Sequence, residues 1–159
     1  MIELVNLRAR PDLLAEIAQY HHQEWQYLNP GYALEDRISA MAAYLDDGSV
    51  PSMWLALESG ELRGTAAVIA CDMDTRSDLS PWLASVFVLP RYRRQGTGST
   101  LATKVACEVQ AAGYPEIFLF TPDQAQLYAR LGWREFSRED YRGTRVSVMV
   151  KALVNTAEL

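Results

Sequence analysis

The sequence predicts a single α/β domain over residues 1–159, and three observations carry that expectation. Short apolar runs of strand length alternate with stretches whose apolar residues recur at helical spacing, in the order β-α-α-β-β-β-α-β-α-β-β. The chain's 159 residues, 49% apolar and 22% charged, suffice for one sizeable core and leave no room for a second full domain. No internal repeat, low-complexity tract or linker interrupts them.

Each element has a local signal. Ile2 to Leu7 is short and apolar enough for a strand, and Pro11 opens a helix whose apolar face is Leu14, Ile17, Ala18, His21 and Trp25. Asn29-Pro30-Gly31 breaks that pattern; a second helix follows on Leu34, Ile38, Met41, Ala42 and Leu45, closed by Asp46-Asp47-Gly48. Met53 to Leu57 and Leu62 to Cys71 read as strands joined by a hairpin turn at Glu58-Ser59-Gly60-Glu61. After a polar loop over Asp72 to Ser80, Trp82 to Leu89 is a mostly apolar run ended by Pro90, as expected of a central strand buried on both faces. From Gly98, Leu101, Val105, Val109 and Ala112 mark a helix that Gly113 and Pro115 stop. Ile117 to Phe120 is another buried strand. Thr121-Pro122-Asp123-Gln124 then supplies a Thr N-cap, a Pro at the first helical position and a Gln for the capping box of a helix ending at Gly132. Trp133 to Ser137 can be a strand, and the alternation of Val146, Val148 and Val150 with Ser147, Met149 and Lys151 marks a half-solvated last one.

Charge narrows the function. With 15 Lys and Arg against 20 Asp and Glu the formal charge is −5, so a nucleic-acid partner is not expected. The longest apolar runs, Ala40 to Leu45 and Ala66 to Cys71, fall far short of the roughly 20 residues that cross a bilayer. The first thirty residues carry Glu3, Asp12, Glu16 and Glu24 and do not read as a secretory signal, so a cytoplasmic location is expected. Cys71 and Cys107 lie in apolar segments without ligand spacing to a histidine, which predicts buried reduced thiols and no metal site. The distribution of charge is uneven. Residues 1–78 hold 13 acids and 5 bases, whereas residues 79–107 hold 4 bases and no acid. A short cationic, glycine-bearing window in an acidic chain suits the grip of one small polyanion, or is simply a solvated basic turn.

The window itself favours the grip. Val86-Phe87-Val88-Leu89-Pro90-Arg91-Tyr92-Arg93-Arg94-Gln95-Gly96-Thr97-Gly98-Ser99 runs from a strand through an Arg- and Gly-rich turn into a helix. A helix start offers unpaired N–H groups and about half a positive charge, and glycines let the backbone approach a phosphate. Arg93 and Arg94 add attraction for phosphate oxygens. A Walker loop needs Lys directly after the second glycine, but Ser99 stands there; a Rossmann fingerprint needs a third glycine where Leu101 stands.

Arg93-Arg94-Gln95-Gly96-Thr97-Gly98 resembles the Arg/Gln-x-x-Gly-x-Gly/Ala signature of the GCN5-related N-acetyltransferase (GNAT) superfamily, whose turn binds the coenzyme A pyrophosphate. Leu127-Tyr128-Ala129-Arg130-Leu131-Gly132-Trp133 is similar to that family's Tyr-x-x-x-Gly-Phe/Trp segment. The motifs cover residues 82 to 133, and the order of elements agrees over nearly the whole chain. The resemblance implies a mixed central sheet with splayed strands flanked by helices, one N-acetyltransferase domain over residues 1–159, and acetyl-CoA as co-substrate without a metal. It places the coenzyme along Val86, Phe87 and Val88 and on Arg93, Arg94, Gln95, Gly96, Thr97, Gly98 and Ser99.

The implied reaction is direct transfer of an acetyl group to a primary amine in a ternary complex. An alkyl ammonium with a pKa near 10.4 must first lose a proton, and the departing thiolate benefits from a donor. The resemblance puts Tyr128 at the sulfur as that donor. Spacing alone allows an ordinary core tyrosine, since Gln124, Tyr128 and Leu131 share a helix face. For the base, relatives often use an acid in the strand before the phosphate turn, but Trp82 to Leu89 holds none. Asp72, Asp74, Asp78, Glu24, His21 and His22 remain open, with His21 placed on the apolar face of its helix. Trp25, Tyr27 and Tyr32 are candidate walls of an acceptor pocket, and the acidic first half favours a cationic small-molecule or peptide amine. Neither cysteine has an adjacent base, so neither is expected to act as a nucleophile. A coenzyme-binding sensor without turnover is the alternative, a nucleotide-binding α/β protein a third reading, and a homodimer is compatible with either enzyme or sensor.

Overall fold

In the computed structural model, which describes residues 1–153, alternation within the strands decides which helix packs where. The elements are β1 (Glu3–Asn6), α1 (Leu14–Trp25), α2 (Leu34–Met41), β2 (Ser52–Glu58), β3 (Glu61–Ile69), β4 (Trp82–Val88), α3 (Thr97–Ala111), β5 (Glu116–Thr121), α4 (Ala125–Arg130), β6 (Arg134–Tyr141) and β7 (Thr144–Ala152). Their order is the one the sequence predicts. They build one mixed seven-stranded sheet, β1-β2-β3-β4-β5-β7-β6, in which β4 and β5 are the parallel pair.

Successive residues of a strand face opposite sides, so β3 sends Ala66 and Val68 to one core and Ala67 to another. The first core lies under α3, whose Leu101, Val105 and Val109 meet Leu83, Ile117 and Met149. The second lies under α1 and α2, where Ile17, Ala18 and Met41 meet Leu7, Met53, Leu55 and Phe87. A third, around Trp82, Phe118, Tyr141 and Val148, fills the end of the sheet beneath the β3–β4 loop. The Trp82 indole is fully buried and donates to the Leu79 carbonyl at 2.7 Å, which satisfies the one polar atom it carries inside.

Two irregularities prepare the centre of the molecule. First, β4 and β5 share a single rung, Trp82 opposite Phe118, so beyond it the edge of β4 facing β5 is unpaired. Second, the β3–β4 register slips between Thr65 and Ala67, which leaves Ser85 bulged with φ +52°. The strands approach so closely beside this bulge that a Cβ on Gly64 would lie 2.6 Å from the Phe87 carbonyl oxygen. Gly64→Ala is therefore expected to cost about 1–3 kcal/mol in chemical denaturation; an unchanged midpoint would show that β3 can move aside.

Some local expectations are corrected. Cys71 and Cys107 are exposed, not buried. Cys107 follows the inward-facing Val105 and Ala106 onto the outer side of α3, and Cys71 lies past the end of β3 with its thiol donating to the Met73 carbonyl at 3.2 Å. The helix expected after Thr121 begins later, at Ala125. The Thr121 hydroxyl oxygen does accept from the Gln124 and Asp123 amides, at 2.9 and 3.3 Å, but it caps a turn and not the helix. The run Trp82 to Leu89 is not buried throughout, because Ser85, Val86 and Val88 are half-exposed at the opening. Among the described residues no helix is long and apolar enough to cross a membrane.

Candidate active site

The end of β4 and the start of α3 form one continuous surface. Gly96 sits at the N-cap of α3 with φ +84°, a conformation that glycine adopts without strain, and Arg94 is also left-handed at φ +66°. No side chain caps the helix, so the first-turn amides of Thr97, Gly98 and Ser99 have no acceptor within it. Gly98 lies over β4. A Cβ there would be in ordinary contact with Val88 and Val86, at 3.6 and 3.9 Å, so the helix start is seated directly on the open strand.

The two arginines of the turn differ in role. Arg94 and Gln95 are exposed. Arg93 folds back: its Nε donates to the Val88 carbonyl at 2.8 Å, its guanidinium lies 5.6 Å from the Phe87 ring centre, and it pairs with Glu24 of α1 at 3.5 Å. Arg93 thus braces the turn against β4 and α1, and Glu24 is engaged in that brace.

Tyr128 of α4 belongs to the core cluster that also holds Leu83 of β4, with Val86 packed against it. Tyr128 is 8% exposed, with its ring packed edge-on to Trp133 at 5.9 Å, and burial pushes its phenol up to about 12. Its hydroxyl makes no hydrogen bond to another described residue. It belongs to the core beneath α3 and also leaves that hydroxyl available to a ligand.

On the opposite side of β4, the bulge organises a polar relay. The Thr65 hydroxyl donates to the Ser85 carbonyl at 2.9 Å, which gives the carbonyl freed by the bulge a partner. His21 Nε2 lies 2.9 Å from the same Thr65 oxygen. Because Thr65 has spent its one proton on Ser85, the contact assigns the proton to His21 Nε2. Burial, with a smaller contribution from the nearby Arg37 cation, pushes the imidazole down to about 3, so His21 is neutral and is a donor rather than a base. It packs among Trp25, Phe87 and, through Phe87, Tyr20.

The remaining acids separate by partner. Asp78 is bonded to Arg76, which holds its carboxyl below the ordinary range, and Asp74 pairs with Arg142 at 3.4 Å. Asp72 has no hydrogen bond or ion pair among the described residues. Burial pushes it up to about 7, opposed only by the Arg142 cation. Its neighbours are Tyr44, which faces Ser85, and Tyr141; burial first and the Asp72 charge second hold the Tyr44 phenol above its ordinary value. Arg142, at the β6–β7 turn, also donates to Asn29 Oδ1 at 2.6 Å and to the Leu28 carbonyl at 3.3 Å, tying the α1–α2 loop over this corner.

The structure therefore brings together Val86, Val88, the start of α3 and Tyr128 on one face of β4, and Phe87, Arg93, His21, Tyr44 and Asp72 on the other face and around its bulge. Trp25 lines the aromatic cluster, Tyr32 stacks near Arg37, and Tyr27 is 67% exposed and joins neither. His22 has a buried Nδ1 without a partner and stands off the relay. Sequence reasoning does not single out Tyr44, Thr65 or Arg142, and it marks Ser85 only as the one polar side chain of its strand. A surface hollow of about 330 Å³ beside Ser49, Gly113 and Pro115 is at the far end of α3 and shares no residue with the site.

Comparison with known proteins agrees with this geometry. The acetyltransferase (GNAT) domain family model matches residues 50–135. No curated protein matches the chain. Among solved structures, a GNAT-family acetyltransferase from Streptococcus pneumoniae is 18% identical, with 96% of this chain and 99% of that one covered at a TM-score of 0.71. An aminoglycoside 6′-N-acetyltransferase complexed with coenzyme A is 15% identical, with 98% of each chain covered and a TM-score of 0.74. A Salmonella typhimurium protein solved with its cofactor acetyl-CoA is 16% identical, with 98% and 94% covered and a TM-score of 0.67. The matched segment is more than half the chain and contains both the uncapped α3 turn and Tyr128, so the protein belongs to the GNAT acetyltransferase family.

Proposed function

We propose that the chain is an N-acetyltransferase that moves an acetyl group from acetyl-CoA to a primary amine, by direct attack in a ternary complex. The observation that carries this reading is the uncapped start of α3 seated on a strand whose outer edge is open, with Tyr128 in the core cluster beneath that helix. The first-turn amides between Gly96 and Ser99 hold the diphosphate, with Arg94 and Gln95 adding contacts at the rim. The pantetheine arm pairs with Val86–Val88 as an added strand, and one backbone amide there polarises the acetyl carbonyl.

Asp72 takes the proton of the incoming ammonium. With a carboxyl at about 7 it is ionised at the pH where it must act, yet basic enough to bind the proton. The free amine attacks the carbonyl, and collapse of the tetrahedral intermediate expels the thiolate. Tyr128, at about 12, is a weaker acid than a thiol near 8.5, so its part is a hydrogen bond to the departing sulfur rather than complete proton transfer. Neither exposed cysteine is required. The fold and acidic N-terminal half fit a cationic amine drawn in by simple Coulomb attraction.

The test is release of free thiol from acetyl-CoA in the presence of a panel of primary amines. Turnover separates the enzyme from a sensor, which binds the coenzyme and releases none. Within that assay Tyr128→Phe is expected to lower kcat by about 10²-fold while the coenzyme Kd stays within about twofold. An unchanged kcat removes Tyr128 from the chemistry.

A further inference from the structure

Arg37 of α2 is a cation without a counter-ion among the described residues. Its guanidinium is half-buried, its Nε is sealed from solvent without a partner, and it forms no hydrogen bond or ion pair with any described residue. The other half-buried arginines each have a carboxylate or carbonyl partner, although Arg63 Nε is also sealed without one. Arg8 donates to the Asp46 and Gly48 carbonyls, Arg10 pairs with Asp12, Arg63 with Glu58, and Arg76 with Asp78 and Glu139. Burial depresses the Arg37 pKa, opposed only by Tyr32 and Tyr44, and no carboxylate among the described residues offsets the cost of holding the charge. The acids beside it in sequence do not serve it: Asp36 accepts from the Ala33 amide, and Glu35 is exposed.

Its surroundings place it at the acceptor end. The guanidinium lies 5.5 Å from the Tyr32 ring centre and acts electrostatically on both Tyr44 and His21. Tyr44 faces Ser85 at the bulge and also feels Asp72. A lone cation and a lone carboxylate therefore flank the same phenol.

We propose that Arg37 binds an anionic group on the acceptor, so that the substrate is an amino carboxylate whose amine goes to Asp72 and whose carboxylate pairs with the Arg37 guanidinium. This rests on the acetyltransferase reading and narrows its substrate class. A planar guanidinium matches a carboxylate through two parallel N–H···O bonds, and such a pair fixes orientation as well as affinity. Selectivity arises because an acceptor without the anion leaves the half-buried charge as unpaired as in the free protein.

The experiment compares a short series of ω-amino carboxylates with n-alkylamines of equal chain length, whose amines have similar basicity, in the thiol-release assay. For the native chain, one or more amino carboxylates are expected to exceed their alkylamine partners in kcat/KM by about 10–100-fold. Arg37→Gln is expected to erase that advantage through KM and to leave turnover of the alkylamines within about twofold. Arg37→Lys is expected to retain part of it. The ligand-free melting temperature of Arg37→Gln should stay level or rise, since a desolvated charge is removed. Equal use of the two series by the native chain, an equal loss on both in Arg37→Gln, or a fall of several degrees in its melting temperature would each overturn the role of Arg37 and leave the acetyltransferase reading standing. Coenzyme binding without thiol release from any amine would overturn both.

Discussion

Asp72→Asn is expected to lower turnover at pH 7 by about 10³-fold and to change the form of the pH profile. The magnitude follows from the acceptor. An alkyl ammonium near 10.4 is deprotonated in only about one molecule in 2,500 at pH 7, and without a base in the site only that fraction reacts. In the native chain kcat/KM should rise through pH 7, where Asp72 ionises, and then level off. In the asparagine variant it should climb about tenfold per pH unit well beyond 8, following the free amine. Stability should move the other way. The unfolded carboxyl releases its proton near 3.8 whereas the folded one retains it to about 7, so the native chain loses stability as pH rises between these values and does not regain it above. Asparagine has no such loss, and Asp72→Asn should be about 1–3 kcal/mol more stable than the native chain at pH 8.5 by chemical denaturation, less any solvent screening at its open side. A flat comparison of both profiles would dismiss Asp72 as the base.

The second large effect lies with His21. Its folded pKa, near 3, is below the ordinary 6.5, so the unfolded chain binds a proton that the folded chain refuses. Stability is thus fully present above pH 6.5 and drains away as pH falls toward 3, by about 3–5 kcal/mol in total and about 2 kcal/mol by pH 5. That is a large part of the roughly 5–15 kcal/mol typical of such domains. His21→Gln keeps a donor for Thr65 and cannot gain a charge. Its stability at pH 7.5 should fall by about 1–2 kcal/mol from lost aromatic packing, while its decline between pH 7.5 and pH 5 should be shallower than the native one by about 2 kcal/mol. Denaturation curves that shift in parallel at both pH values would show that the imidazole is not what resists acid.

Local signals in the sequence sufficed for the order of elements and for the glycine turn that opens α3. Pro90, Gly96, Gly98 and the Leu101–Val105–Val109 stripe act within the twenty residues from 90 to 109, where backbone preference and periodicity decide the outcome. Boundaries shifted where a side chain served a turn, as Thr121 does. The acceptor end was illegible for a different reason. Tyr44, Thr65, Asp72, Ser85 and Arg142 come from five elements or loops, and what joins them is a register slip between β3 and β4 that no composition announces. Asp72 was one carboxylate among several until its neighbours paired off with Arg76, Arg142 and Arg93.

The single rung between β4 and β5 bears on how such a protein diversifies. Four strands lie on one side of that seam and three on the other, and almost no backbone ladder crosses it. Substitutions that reshape the walls around Tyr44 and Arg37 act in the first block, while Tyr128 is carried by the second. On the proposed mechanism, a lineage can therefore trade one acceptor for another by changes on one side of the seam and keep Tyr128 unchanged on the other.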